Sequence, residues 1–201
     1  MGLTKVRGKG LGTLGDGTAS ANSIIFDGNA QDFHIGLDDS TDSLTFGLGS
    51  SLGTTSHMVI DANGQITKPL QPAFMARFNG ASVNINNEVW VFNATNINGG
   101  FNIGSHYSTS NGKFTAPVAG RYFFHFSSII NTQGTNLTIQ LRVNNSETDQ
   151  IHISQDENGW NTYGVSNVYN LSASDYVTVF VVGNYNLYGR NWSRFTGYLI
   201  G

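Results

Sequence analysis

An all-β chain, with an N-terminal β-rich shaft followed by an antiparallel sandwich or jelly-roll head, is predicted here on three observations. Of 201 residues, 25 are glycine and 23 asparagine, which supply positive-φ turns and turns closed by a side-chain amide. Apolar side chains recur with period two in segment after segment, the mark of half-buried strands. No stretch places them at helical spacing, and charged residues are only 11%, against roughly 25% in an average domain.

The totals also exclude. Cysteine is absent, so disulfides, thiolate metal sites and a cysteine nucleophile play no part. No run of about 20 apolar residues predicts a membrane-spanning helix. The opening "MGLTKVRGKGLGTLG" lacks the apolar block of a secretion signal, so a place outside the cell would be reached by another route, such as lysis. The net charge of −3 is unevenly spread. Residues 1–9 carry Lys5, Arg7 and Lys9 and no acid; residues 10–67 carry seven Asp and no Lys or Arg; the rest is nearly balanced. No basic stripe is present for nucleic acid.

Taken in order, residues 1–15 precede the shaft, and the tail-fibre resemblance given below implies that they are the virion attachment segment. Residues 16–67 form the shaft: "DFHIGL" places Phe33, Ile35 and Leu37 on one face, "SLTFGL" does the same with Leu44, Phe46 and Leu48, and "HMVIDANGQIT" adds a strand turning at Asn63-Gly64. So few apolar residues cannot offset the chain entropy of one copy. The expectation is therefore an intertwined shaft whose core is shared between subunits, with a flexible linker as the alternative. Residues 68–73 hold Pro69 and Pro72 and read as a stiff joint. From residue 74, "EVWVF", "RYFFHFSSII", "NLTIQLRV", "TYGVSNVYNL", "DYVTVFVVG" and "RFTGYLI" are strand signals separated by polar turns.

Within the head, "NGKFTAPVAGRYFFHFSS" stands out. Asn111-Gly112 is a tight-turn dipeptide, Pro117 suits a corner, and Gly120 permits a second bend. Tyr122, Phe124 and Phe126 then share one face, and Phe123 on the other hints that a neighbouring subunit covers part of it. The longer block "YSTSNGKFTAPVAGRYFFHF" resembles the signature of complement C1q-like globular heads, trimeric jelly rolls related to tumour necrosis factor. The resemblance rests on Tyr107, Gly112, Phe114, Pro117, Gly120, Tyr122 and Phe124, with Phe74, Phe101, Phe195 and Gly197 in the flanking strands, over roughly residues 72–201. A Gly-Asp-x-Val pattern in that family appears here as Ser174, Asp175 and Val177, leaving the turn geometry there open.

No collagen repeat precedes the head. Instead "FDGNAQDFHIGLDDSTDSLTFGLGSS" and "MVIDANGQITKPLQPAF" resemble repeats of bacteriophage tail fibres. Together the two resemblances imply a homotrimeric tail fibre on the virion surface. Its N-terminus would meet a tail or adaptor protein through Lys5, Arg7 and Lys9, unless these are a solvated terminus, and its head would adhere to a host glycan or protein. The alternative is a structural head-fibre, decoration or tail-joining protein in which the head mainly drives trimerisation.

No motif of a hydrolase, metalloprotease or phosphate-binding loop is present, and no enzymatic activity is expected. No cofactor is expected either. Calcium is the one candidate, with Asp38, Asp39 and Asp42 close together, but their spacing is not that of a calcium loop and solvated turns account for them. Candidate receptor-binding residues are aromatics expected in loops: Trp160 and Tyr163 in "ENGWNTYG", and Tyr185, Tyr188 and Trp192 with Arg190 in "GNYNLYGRNWSR". Flat rings beside amide and guanidinium donors suit a neutral sugar or a protein epitope, the alternative being that rings among them belong to the core or the trimer contact.

Overall fold

The structure is a computed structural model that describes residue 17 and residues 19–132, 137–153 and 159–201. Residues 1–15, with Lys5, Arg7 and Lys9 that were expected to meet a virion protein, lie outside the described residues. Contacts divide the chain into two compact units, Met1–Leu70 and Gln71–Gly201, and the described residues of both are all-β without a helix.

The first unit is an antiparallel meander of β1 (Asn22–Phe26), β2 (Phe33–Asp38), β3 (Ser43–Leu48), β4 (Ser56–Ile60) and β5 (Ile66–Thr67), each strand pairing with the next. All these pairings are antiparallel. The turn at Asn63-Gly64 forms as its sequence implies: Gly64 has φ +79°, and Asp61 Oδ1 accepts from the amides of Asn63 and Gln65 at 2.9 and 2.8 Å.

The two faces of this sheet are covered unequally. Phe33, Leu37 and Leu44 are 47%, 46% and 39% exposed, whereas His34, Gly36, Ser43, Thr45 and Gly47 are buried. The connection from β3 to β4 turns back over the small-residue face. Leu48 N donates to Thr55 O at 2.9 Å, and a Cβ at Gly36 would stand only 2.9 Å from Leu52 Cδ2. His34 lies in that layer, its Nδ1 2.8 Å from Gly49 O. Glycines at 36 and 47 leave the room the connection needs, and the apolar face is left open.

The second unit comprises β6 (Ala73–Ala76), β7 (Ser82–Val89), β8 (Phe101–Ile103), β9 (Phe114–Thr115), β10 (Gly120–Thr132), β11 (Leu137–Val143), β12 (Ser146–Ile153), β13 (Gly159–Leu171), β14 (Tyr176–Tyr188) and β15 (Ser193–Leu199). One sheet runs β13-β10-β15-β6-β8; the other runs β12-β11-β14-β7, with β9 against β14. All pairings are antiparallel. Between the layers lie Phe74, Tyr122, Phe124, Phe126 and Phe195 from the first sheet and Ile139, Leu141, Val177, Val179 and Val181 from the second, all fully buried. Trp90 and Phe92 are equally buried but follow β7 rather than continuing it; a hydrogen bond from Trp90 N to Val179 O carries them into the core.

Candidate functional site

The signature block builds a corner. Gly112 has φ +72°, and its amide donates to Ser108 O at 2.9 Å. Phe114 then stacks on Phe74, ring centroids 5.1 Å apart, and meets Phe124 edge-on at 5.3 Å. Pro117 is exposed at the bend, and past it the Tyr122 hydroxyl donates back to Val118 O at 2.8 Å. Tyr107, likewise buried, accepts from Phe92 N through its hydroxyl oxygen, and burial pushes its pKa well above the ordinary phenol range. Gly197 sits where the rings of Phe124 and Phe74 crowd the place of a Cβ, and a Cβ at Gly120 would press on the tip of Leu199. Phe101 departs from this group: on β8 it is exposed rather than in the core.

The turn before β14 also closes. Ser174 takes φ +75°, the left-handed conformation that a glycine adopts most readily. Asp175 holds the turn, accepting from Asn144 Nδ2 and from Ser172 N, both at 2.7 Å, and these two bonds lower its pKa. These residues are structural in what they touch.

Chemistry open to a ligand gathers at the other end of the sandwich. β6 begins with Ala73 opposite Tyr198, and the β14–β15 connection lies at the far end of β15. That connection is pinned on both sides. Arg190 N donates to Phe78 O at 2.7 Å, and Trp192 O accepts from Ile129 N at 3.1 Å. It holds the Trp192 side chain 53% exposed; Trp160, at the start of β13, is 57% exposed and meets Tyr188 edge-on with ring centroids 4.5 Å apart. Arg190 is exposed, with φ +52°.

Not all of the expected aromatics share that setting. Trp160, Tyr163, Tyr185 and Tyr188 lie in strands rather than loops, and Tyr163 and Tyr185 pack against the hydrophobic core. Period two sends them there: Tyr163 and Val165 face inward on β13 while Thr162 and Gly164 face out, and Tyr185 shares the inward side of β14 with Leu187.

Ser127 and Ile129 of β10, Thr162 of β13, Asn191 and Trp192 of the connection and Arg194 of β15 line a cleft of about 180 Å³. Of these, Trp192 stood among the expected site residues and Asn191 among the amide donors expected beside them. Alternation of β15 about the buried Ser193 and Phe195 was the signal that points Arg194 outward. A second concavity, of about 360 Å³, borders the β7 edge and is lined by Phe78, Val83 and Trp90. Among the described residues no group of three or more His, Asp or Glu is placed to hold a metal ion; Asp38 instead accepts from both the amide and the hydroxyl of Ser40.

Two facing antiparallel sheets in this strand order define a jelly-roll domain of the kind shared by complement C1q heads and tumour necrosis factors. The chain belongs to the C1q domain family, whose profile matches residues 73–200. Among solved structures, the Eiger tumour necrosis factor of S. frugiperda is similar with a TM-score of 0.54 at 11% identity, over 67% of this chain and 94% of that one. The globular domain of zebrafish complement 1qA aligns with a TM-score of 0.45 at 16% identity, over 65% of this chain and 98% of that one. A comparison with curated protein sequences finds no match. Domains of this family commonly form homotrimers and are often involved in binding.

Proposed function

We propose that this chain is a homotrimeric fibre protein of a bacteriophage tail, held to the virion at its N-terminus and adhering to the host surface through its C1q-type head. The observation that carries the trimeric part of this reading is a pair of uncovered apolar faces, while the tail-fibre part rests on the resemblance of the N-terminal segments. In the first unit Ile24, Phe26, Phe33, Leu37 and Leu44 are exposed on one side of the meander. In the head, the outward side of the β13-β10-β15-β6-β8 sheet exposes Phe101, Val168 and Tyr198, with the Phe123 ring 5.3 Å from that of Tyr198. Contiguous apolar surface of this kind is where proteins associate. Three-fold closure would cover both, and it joins the family's habit of trimerisation to the tail-fibre resemblance of residues 26–74.

Adhesion by three heads multiplies weak contacts, so a modest site on each suffices. The head acts here as a non-enzymatic binder, without cofactor or metal, at the surface of an extracellular particle. Light scattering on the full chain tests the assembly, with an expected mass of three times 21.7 kDa; a folded monomer overturns it. Capture of bacterial cells by the immobilised chain tests adhesion, and a trimer that captures no cells from a host panel leaves the head a purely structural device.

A further inference from the structure

The strand β7 ends its sheet. It pairs with β14 along one edge, and no described residue pairs with the other. An open edge presents a row of unpaired backbone donors and acceptors, a template for a further strand. This edge lies away from the contact proposed for the trimer. The outward row of Val168, Phe123 and Tyr198 stands on β13, β10 and β15, and β13 is tied through Tyr169 to Asp149 of β12, the strand at the opposite end of the sheet from β7.

Beside the edge lies the cavity of about 360 Å³. Apart from Phe78, which follows β6 and packs against the core, its lining comes from β7 and from residues 90–93 and 109–110, so none of it stands on the outward side of the β13-β10-β15-β6-β8 sheet. Two polar groups there lack partners among the described residues. Trp90, a wall of the cavity and only 1% exposed, has no acceptor for its Nε1–H. Glu88 has neither a cation nor a hydrogen-bond donor. A register shift puts Glu88 into the cavity lining. Asn87, with φ +52°, breaks the alternation that would keep Glu88 in the outward row of Asn84 and Asn86, and the carboxylate instead shares the side of Val181, a fully buried core residue.

We infer that the β7 edge docks an extended peptide segment of a partner protein, a lysine or arginine of that segment laying its aliphatic stem in the cavity and its cation on Glu88. Backbone pairing along an open edge supplies affinity, and a pocket for one side chain supplies specificity. The walls Phe78, Val83, Ile85 and Trp90 suit methylene groups, and Glu88 suits a charged tip. A carbonyl of the segment gives the Trp90 N–H the acceptor that the head does not supply. Aliphatic walls beside an open edge favour a peptide over a saccharide. A second copy of this edge is a poor occupant: its sequence SVNINNEV brings no cation, and an inward charge on an edge strand discourages such self-pairing. The inference goes beyond adhesion to a host and does not rest on it.

The test uses the full chain and a short, blocked, fluorescent peptide of alternating valine and threonine with a central lysine, followed by anisotropy. The lysine peptide binds, and the same peptide with a central glutamate does not. N-methylation of one alternate set of its amides abolishes binding and of the other set does not, the signature of pairing along a single edge. Glu88→Gln weakens binding about threefold to tenfold, as loss of a partly solvated ion pair does, and Glu88→Lys reverses the preference toward the glutamate peptide. Thr109→Trp, which fills the mouth of the cavity from its exposed rim, removes binding. Unchanged oligomer mass and melting temperature show that these variants fold. No binding of the lysine peptide to the folded chain, equal binding of the two peptides, equal loss from both N-methylated sets, or a preference for lysine that persists in Glu88→Lys overturns the inference. Displacement of the peptide by a neutral oligosaccharide overturns it in favour of a sugar site.

Discussion

Tyr169 on β13 donates its hydroxyl hydrogen to Oδ2 of Asp149 on β12, joining the edge strands of the two sheets of the head. Asn167 Nδ2 donates to the same oxygen at 2.7 Å. Burial, and then the bond and charge of Asp149, push the pKa of Tyr169 far above the usual phenol range. Tyr169→Phe leaves that carboxylate with one donor fewer at the seam and is expected to lower stability by about 1–3 kcal/mol, read as a lower urea midpoint with an unchanged slope. An unchanged midpoint would show that the two sheets are held by the core alone.

Gly197 is a packing requirement rather than a turn. A Cβ there would lie 2.5 Å from Phe124 Cδ1 and 2.9 Å from Phe74 Cε1, inside a layer of stacked rings. Gly197→Ala is expected to cost about 1–3 kcal/mol by overpacking, measured by thermal unfolding. A variant as stable as the parent would mean that the rings shift freely, against the close packing seen around Phe74.

The open face of the N-terminal meander can be read by cross-linking, because the chain has no cysteine of its own. Leu44→Cys places a thiol on the exposed face and Thr45→Cys places one on the face covered by the β3–β4 connection. Under mild oxidation Leu44→Cys is expected to give covalently linked copies on a denaturing gel, and Thr45→Cys is not. Absence of linked species from Leu44→Cys would remove this face from the trimer contact.

Stability should fall in mildly acidic solution on account of His125. Burial and then Arg194 hold its pKa below the ordinary 6.5, so the unfolded chain takes up the proton first. The contribution is complete above 6.5, is lost as pH falls through the lower folded value, and is flat below it. Arg194→Gln should shallow this slope while leaving the plateau above pH 7 in place, as followed by melting temperature against pH.

Much of the head was legible as period two. Tyr122, Phe124 and Phe126 alternate to one face, Asn111-Gly112 announces the bend, and Asp175 marks the turn that it caps. The β12 strand "SETDQIHI" was missed because its side chains are mostly polar, so pairing with β11 rather than apolar alternation creates it. Trp90 and Phe92 read as strand residues because the alternation in "EVWVF" is real, but the regular strand ends at Val89 and the two rings pack into the core between the sheets.

The candidate site was legible only in part. The sequence alone determined which residues alternate and where the chain must bend, since both depend on neighbours a few positions away. The tertiary structure decided which alternating face receives a second layer. It turned Tyr163 and Tyr185 inward, left Trp160 and Trp192 outside, set Arg194 against Ser127, and buried the small-residue face around His34 while leaving Phe33 and Leu44 open. Covering a face requires strands and connections distant in sequence, so a local pattern names two faces without saying which one the fold will close.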